Sequence, residues 1–245
     1  VNTTESAFLE AVRDAPDDDG PRLVYADWLD EQGDPRGEFI RVQCELARLP
    51  RDDPNRGELR ARSDALQAEH VRTWVRDLTP FVSAVHFRRG FVDGVTMTLS
   101  DFCSFAGQVL RSYPVTRARI EEVGPPVREE LARTSPWQPA LLARLAACRS
   151  LAGFRSLDLS RNGIDDSVRA LARSPHLRGV RELDLSDNDI GDGGALELTA
   201  SPFLDCLAAL DLSSNRIGRA AVRALRARFG DRVRLDHQKW LPRWS

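Results

Sequence analysis

The chain has 245 residues, 35 Lys+Arg against 37 Asp+Glu, and a formal net charge of -2 at pH 7, and with 42% hydrophobic and 29% charged residues it reads as globular. So even a charge balance argues against bulk electrostatic capture of nucleic acid or anionic lipid, and no apolar run approaches the ~20 residues of a membrane helix. Four scattered cysteines (Cys44, Cys103, Cys148, Cys206) lack metal-type spacing, and no charged-then-apolar leader opens the chain. A secreted disulfide mini-protein, a membrane span and a zinc ribbon are therefore not expected; a cytoplasmic protein with reduced thiols is.

From the N-terminus, Asn2 with Glu5 three residues on makes a cap for a helix whose apolar stripe is Phe8, Ala11, Val12 and Ala15. Pro16 to Gly20 breaks it, and Pro21 opens a second helix carrying Val24, Tyr25, Trp28 and Leu29. Gly33 stops that helix, and Asp34-Pro35 starts a third with Phe39, Val42, Leu46 and Leu49 inward. Pro54 to Leu78 reads as a fourth helix, with Leu59, Leu66, Val71 and Val75. Residues 1–80 hold 18 acids against 11 arginines, whereas the rest holds 19 acids against 24 bases, so the two parts differ in charge sign.

The stretches Asp17-Asp-Asp-Gly-Pro-Arg-Leu-Val-Tyr-Ala-Asp-Trp28-Leu and Gly33-Asp-Pro-Arg-Gly-Glu-Phe39-Ile resemble the bacterial repeat-companion domain, over about the first fifty residues. That resemblance implies a small helical module placed N-terminal to repeats. It implies architecture and no reaction, and it brings no catalytic residues with it.

Residues 81–114 read as a junction and N-terminal cap. Gly90–Thr98 alternates imperfectly (Phe91, Val92, Val95, Met97), as a degenerate repeat strand would, and a helical stretch follows from Asp101 to Arg111. Val115 to Val123 keeps strand spacing through Ala118 and Ile120 but ends in valine where the later units have asparagine. Helical returns are expected over 127–133 and from Pro139 to Cys148, with breaks at Pro125, Pro126 and Pro136.

An internal repeat then dominates. Phe154-Arg-Ser-Leu157-Asp-Leu159-Ser-Arg-Asn162-Gly-Ile164 recurs as Val180-Arg-Glu-Leu183-Asp-Leu185-Ser-Asp-Asn188-Asp-Ile190 and as Leu207-Ala-Ala-Leu210-Asp-Leu212-Ser-Ser-Asn215-Arg-Ile217. Period-two leucines predict a short strand with one buried face. The asparagine stands where a side-chain amide can satisfy backbone groups as the chain turns. Apolar residues at helical spacing follow each strand (Val168, Leu171, Ala172; Ala195, Leu196, Leu198; Ala221, Val222, Ala224, Leu225), and such a unit buries its face only by stacking. Arg232 to Asp236 reads as a last strand.

The pattern resembles leucine-rich repeats of the ribonuclease-inhibitor-like kind. The fold class implied is α/β: a short right-handed solenoid over 115–236, parallel sheet concave and helices convex, preceded by a small all-helical module over 1–80. Residues 237–245 would cap it or form a tail.

Residues between the buried leucines point to the open face. The central column reads Arg119, Asp158, Asp184, Asp211, Arg234; a second reads Arg117, Ser156, Glu182, Ala209, Arg232; a third reads Glu121, Ser160, Ser186, Ser213, Asp236. An acidic strip between arginine-rich edges suits a protein partner of opposite charge pattern, although Asp and Ser at these positions also serve simply to solvate a sheet. Trp240 and Trp244 in the tail either cover the last repeat or dock a partner.

No enzymatic reading competes well. Asp27, Asp30, Glu31, Asp34 and Glu38 are the best candidates for metal or acid–base work, but Arg22, Arg36 and Arg41 lie among them, and ion pairs and caps explain the cluster more simply. Asp187 to Asp192 lacks the sixth-position glycine and twelfth-position glutamate of a calcium loop. The four histidines show no HxxxH spacing, and Cys103 with His86 has no local signature of a nucleophile pair. The expectation is a non-enzymatic adaptor or regulator without metal or cofactor, one plausible target being a bacterial effector such as a protease. The rivals are a metal-dependent hydrolase using the acidic helices, and a nucleic-acid binder using Arg88, Arg89, Arg117 and Arg119. Membrane association is not expected, and a monomer is favoured.

Overall fold

The computed structural model describes residues 3–121 and 139–239. The Asn2 cap, Val123, the return expected over 127–133, Pro125, Pro126, Pro136, Trp240 and Trp244 lie outside the described residues. The chain divides into two compact units: Val1–Val95 with Gln108–Val115, and Thr96–Gly107 with Thr116–Ser245.

The first unit contains α1 (Thr3–Asp14), α2 (Gly20–Glu31), α3 (Arg36–Arg48) and α4 (Arg56–Trp74). Pro21 lies in the first turn of α2, and Gly33, at φ +68°, ends it in the left-handed conformation that only glycine adopts freely. The inward face of α2 is Arg22, Tyr25, Ala26 and Leu29 rather than the expected purely apolar set, and Val24 is 56% exposed. The cause is Arg22. Its guanidinium turns inward to donate to the carbonyls of Asp18 (2.5 Å) and Pro16 (2.8 Å), tying down the α1–α2 connection. Asp19, also buried, is paired with Arg48 (2.9 Å) and Arg89 (3.4 Å). Tyr25 donates its hydroxyl to Glu5 Oε1 at 2.8 Å, and burial pushes the phenol well above its usual range, which keeps it a donor.

The helices do not close this unit alone. A hairpin of β1 (Ala84–Arg88) and β2 (Phe91–Thr98) completes it as far as Val95, since Phe91 lies in the same buried cluster as Leu9, Val12, Tyr25, Leu29 and Ile40. Arg89 and Gly90, at φ +52° and +83°, make the two-residue turn. A Cβ at position 90 would lie 2.5 Å from the Ile40 Cα, so only glycine fits. The strand expected over Gly90–Thr98 forms, but Phe91 to Met97 are all buried, which is why its alternation was weak: both faces are covered.

In the second unit β3 (Arg117–Glu121), β4 (Ser156–Asp158), β5 (Glu182–Asp184), β6 (Ala209–Asp211) and β7 (Val233–Arg234) run parallel in chain order. The helix α5 (Leu99–Ser112) follows β2, and between the parallel strands lie α6 (Pro139–Ala146), α7 (Arg169–Ala172), α8 (Asp192–Ala200) and α9 (Arg219–Phe229). Leu157, Leu183 and Leu210 stand in register and are buried, as are Leu159, Leu185 and Leu212 after the strands. The architecture is a mixed α/β repeat fold.

Backbone demand at the strand exits holds the repeats together. Asn188 is buried; its Oδ1 accepts from Asn162 N and Ile164 N (both 3.0 Å), and its Nδ2 donates to Leu159 O (3.0 Å) and Leu185 O (2.9 Å). Asn215 repeats this one rung on, accepting from Ile190 N and donating to Leu185 O and Leu212 O. Each amide thus satisfies its own turn and that of the preceding repeat. Gln238 takes the next position, accepting from Ile217 N (3.0 Å) and donating to Leu212 O (2.8 Å). The residue before each amide (Arg161, Asp187, Ser214, His237) has φ between +54° and +59°, so the repeat geometry continues two residues past Asp236.

A second set of links runs at the helix starts. Asp166 Oδ1 accepts from Gly191 N (2.8 Å), and Asp192 Oδ1 from Gly218 N (2.5 Å). A Cβ at position 218 would stand 2.8 Å from Asp192 Oδ2 and push that carboxylate aside.

Removing the buried amide of Asn188 by alanine leaves donors and acceptors of two repeats unpaired. The variant Asn188→Ala should lose ~3 kcal/mol or more in urea unfolding, whereas Gln238→Ala, at the half-buried end of the ladder, should lose about 1 kcal/mol. Equal losses would mean that the rungs are not coupled as described.

Candidate interaction face

The strand register brings together most of the residues singled out from sequence. Arg119 pairs with Asp158, Asp158 with Asp184, Asp184 with Asp211, and Asp211 with Arg234. The adjoining row sets Arg117 against Ser156, Ser156 against Glu182, and Glu182 against Ala209. The leucines between them are buried, while the three aspartates are half-buried and Arg117 and Glu182 are exposed. Arg232 does not join this row. It lies in a short 3-10 turn, Gly230–Arg232, and its guanidinium donates to Leu207 O (2.7 Å) and Phe229 O (3.1 Å).

The two oxygens of each aspartate do different work. Oδ1 of Asp158, Asp184 and Asp211 accepts the backbone N–H of Ser160, Ser186 and Ser213 at 2.8–2.9 Å, closing the same turn in each repeat. The outer oxygens differ. Oδ2 of Asp158 receives Arg119 (2.8 Å), which also binds Glu121 (3.0 Å), and Oδ2 of Asp211 receives Arg234 (3.3 Å). Among the described residues Asp184 has no cationic side chain on it. The centre of the strip is an unneutralised carboxylate between two arginine-clamped ones.

The leucine-rich repeat family model matches residues 154–167 and 176–198. These segments match leucine-rich repeats. Residues 207–217 lie outside the match but share the asparagine bonds and the positive-φ residue of the leucine-rich repeats before them. None of the curated proteins compared matches the chain. Leucine-rich repeats generally mediate protein–protein interaction and are usually non-enzymatic.

Most of the other candidates have structural occupations, Glu31 being an exposed residue at the end of α2. Arg41 holds Asp27 (2.6 Å) and Asp30, Arg62 holds Glu38 through two bonds of 2.6 Å, and Asp34 accepts the Arg36 N–H at the start of α3. In the suspected calcium loop, Asp187 meets Arg161 (3.2 Å), Asp189 meets Arg216 (2.9 Å) and Asp192 meets Gly218 N, so the three carboxylates diverge. Among the described residues no three His, Cys, Asp or Glu side chains converge as metal ligands. Burial, with Cys148 alongside, pushes the Cys103 thiol up to about 11, which keeps it protonated and a poor nucleophile at neutral pH. Arg89 is turned onto Asp17 O (2.7 Å) and Asp19. No described helix is long and apolar enough to cross a membrane.

Hydrogen bonding from Arg62 holds the Glu38 carboxyl below its ordinary value of 4.5. A depressed carboxyl contributes stability above that value and loses it as pH falls through the lowered one. Glu38→Gln should therefore melt about 1–3 °C below wild type at pH 7, with a smaller offset at pH 3. An equal offset at both pH values would contradict the pairing.

Proposed function

We propose that the chain is a non-enzymatic interaction module, an adaptor or regulator, that recognises a protein partner on the open face of its leucine-rich repeats. In this reading residues 115–236 are a short right-handed solenoid with the sheet on its concave side, and residues 1–80 a bacterial repeat-companion module. Residues 81–114 join the two, and 237–245 form a cap or tail with Trp240 and Trp244. The protein works in the cytoplasm, without cofactor, and one fitting role is control of an effector such as a protease.

The observation that carries this reading is Asp184. Its outer oxygen lies in the middle of a registered strip with no cation on it among the described residues, so a lysine or arginine from a partner completes it without rearranging the face. A preformed surface of this kind lowers the ordering cost of association. Five strands ~4.8 Å apart present ~20 Å of width, enough for one side of a standard interface once the rims contribute. Arg117, Arg119, Asp158, Glu182, Asp211 and Arg234 supply the surrounding charge pattern. Arg232, spent on carbonyls, contributes by bracing the end of the ladder.

The test must keep the turns that the aspartates close. Asparagine retains the Oδ1 acceptor and removes the charge, so the variant is Asp158→Asn, Asp184→Asn and Asp211→Asn together. Its melting temperature should stay close to wild type, while Asp184→Ala loses about 1 kcal/mol. Affinity capture from the source lysate should retain a protein on the wild type that the triple variant loses by about tenfold or more. Equal capture by both would remove the aspartate strip from recognition.

A further inference from the structure

The outer side of α9 carries a second charged surface. Its buried residues Ala221, Leu225 and Phe229 recur every fourth position, and Arg219, Arg223 and Arg226 occupy an exposed sector of about 60° on a different side of the helix. Among the described residues these three guanidiniums have no hydrogen bond or ion pair. Several other arginines of the repeats are engaged, Arg173 on Glu197 (2.8 Å), Arg216 on Asp189 (2.9 Å) and Arg228 on Asp205 (2.9 Å), whereas among the described residues Arg169 and Arg181 stand singly. The helix contains no acid to offset them.

Arg219 also breaks the local rule of its position. The equivalent residues one and two repeats earlier are Asp192 and Asp166, whose carboxylates accept the glycine N–H of the next repeat. A cation in the first turn of a helix opposes the helix dipole, and residues set against their local preference recur at functional or strained positions. One repeat before Arg223, at the 27-residue offset that pairs Asp184 with Asp211, stands Leu196. It is 50% exposed, and with Val24 it makes up the exposed large hydrophobics among the described residues.

We infer that α9 and Leu196 form a docking surface for an acidic, amphipathic helix of a partner protein, distinct from the open sheet face. Three cations spread over ~10 Å of helix match carboxylates at the i, i+4, i+7 spacing of a second helix, and arginine binds carboxylate through two parallel bonds. An apolar side chain of the partner covers Leu196. A long polyanion fits less well, because three arginines neutralise few phosphates and the strand would run on over a chain of net charge -2. A membrane surface fits less well too, since one exposed leucine is far short of the apolar face an interfacial helix buries.

The test uses the full chain and a synthetic helix of roughly 18 residues with Glu at i, i+4 and i+7 and Leu on the adjoining face. A Gln-for-Glu peptide, a single-stranded oligonucleotide and anionic phosphatidylserine vesicles are compared with it. The Glu peptide should bind, weakening about tenfold with Arg219→Gln, Arg223→Gln and Arg226→Gln together and about threefold with Leu196→Ser. Asp184→Asn should leave it unchanged, which separates this surface from the open face. All the substituted side chains are solvent-accessible, and unchanged melting temperatures confirm folding. The inference is overturned by no binding of the Glu peptide, by equal binding of both peptides, by an affinity that ignores the arginines, or by oligonucleotide or vesicle binding that depends on them more strongly.

Discussion

The repeat half of the molecule depends on one demand: the backbone leaving each short strand must find partners for buried N–H and C=O groups that no sheet neighbour satisfies. A single buried amide per repeat meets it, and meets it for two repeats at once. Asn188 bonds Asn162 N and Ile164 N behind it while closing its own turn on Leu185 O. No repeat is complete without the next, so the units are coupled through hydrogen bonds as well as through stacked leucines. This also fixes the φ of about +55° just before each amide, since the side chain reaches back only if the main chain turns there.

That demand shapes the open face. With the turns closed by amides on the buried side, a second acceptor closes them on the exposed side: Oδ1 of Asp158, Asp184 and Asp211. An acidic strip is thus partly a by-product of building three identical turns, and the presence of three aspartates alone says little about recognition. What distinguishes them is the outer oxygen. Arginines at the two ends, contributed by β3 and β7, neutralise the flanking aspartates, and no described cation takes the middle one. In the proposed reading, recognition on this face therefore rests on the differences between repeats, in the strands that depart from the common pattern.

The repeats were legible because their period in the sequence is also their register in space: a residue 26 or 27 positions on is the neighbour across the sheet. Substitution at a rung hides it. Gln238 does the work of an asparagine, with one more methylene and no leucine-aspartate-leucine run to announce it, and only the shared turn geometry identifies it. β1 was missed because Val85 and Phe87 give just two apolar residues in alternation, and its turn, Arg89-Gly90, lacks the usual Asn-Gly signal. Arg22 defeated the apolar stripe of α2 for a different reason. A charged residue counts as exposed in any periodicity argument, yet three nearby carbonyls at the end of α1 make a buried guanidinium stable here.

The charged residues of the first unit follow the same logic on a smaller scale. Asp19, Arg22 and Tyr25, all within its most distinctive sequence stretch, are buried, and their polar atoms are directed at loop carbonyls, at Arg48 and Arg89, and at Glu5. The exposed carboxylates of Asp27, Asp30 and Glu38 are taken by Arg41 and Arg62. A motif whose members all point at one another specifies a shape, and chemistry or recognition needs polar groups that the fold has not used. Such groups lie in the second unit, at Asp184 on the sheet and along α9 on the helices. They are of opposite charge and on different faces of the repeats, an arrangement suited to holding two unlike partners at once.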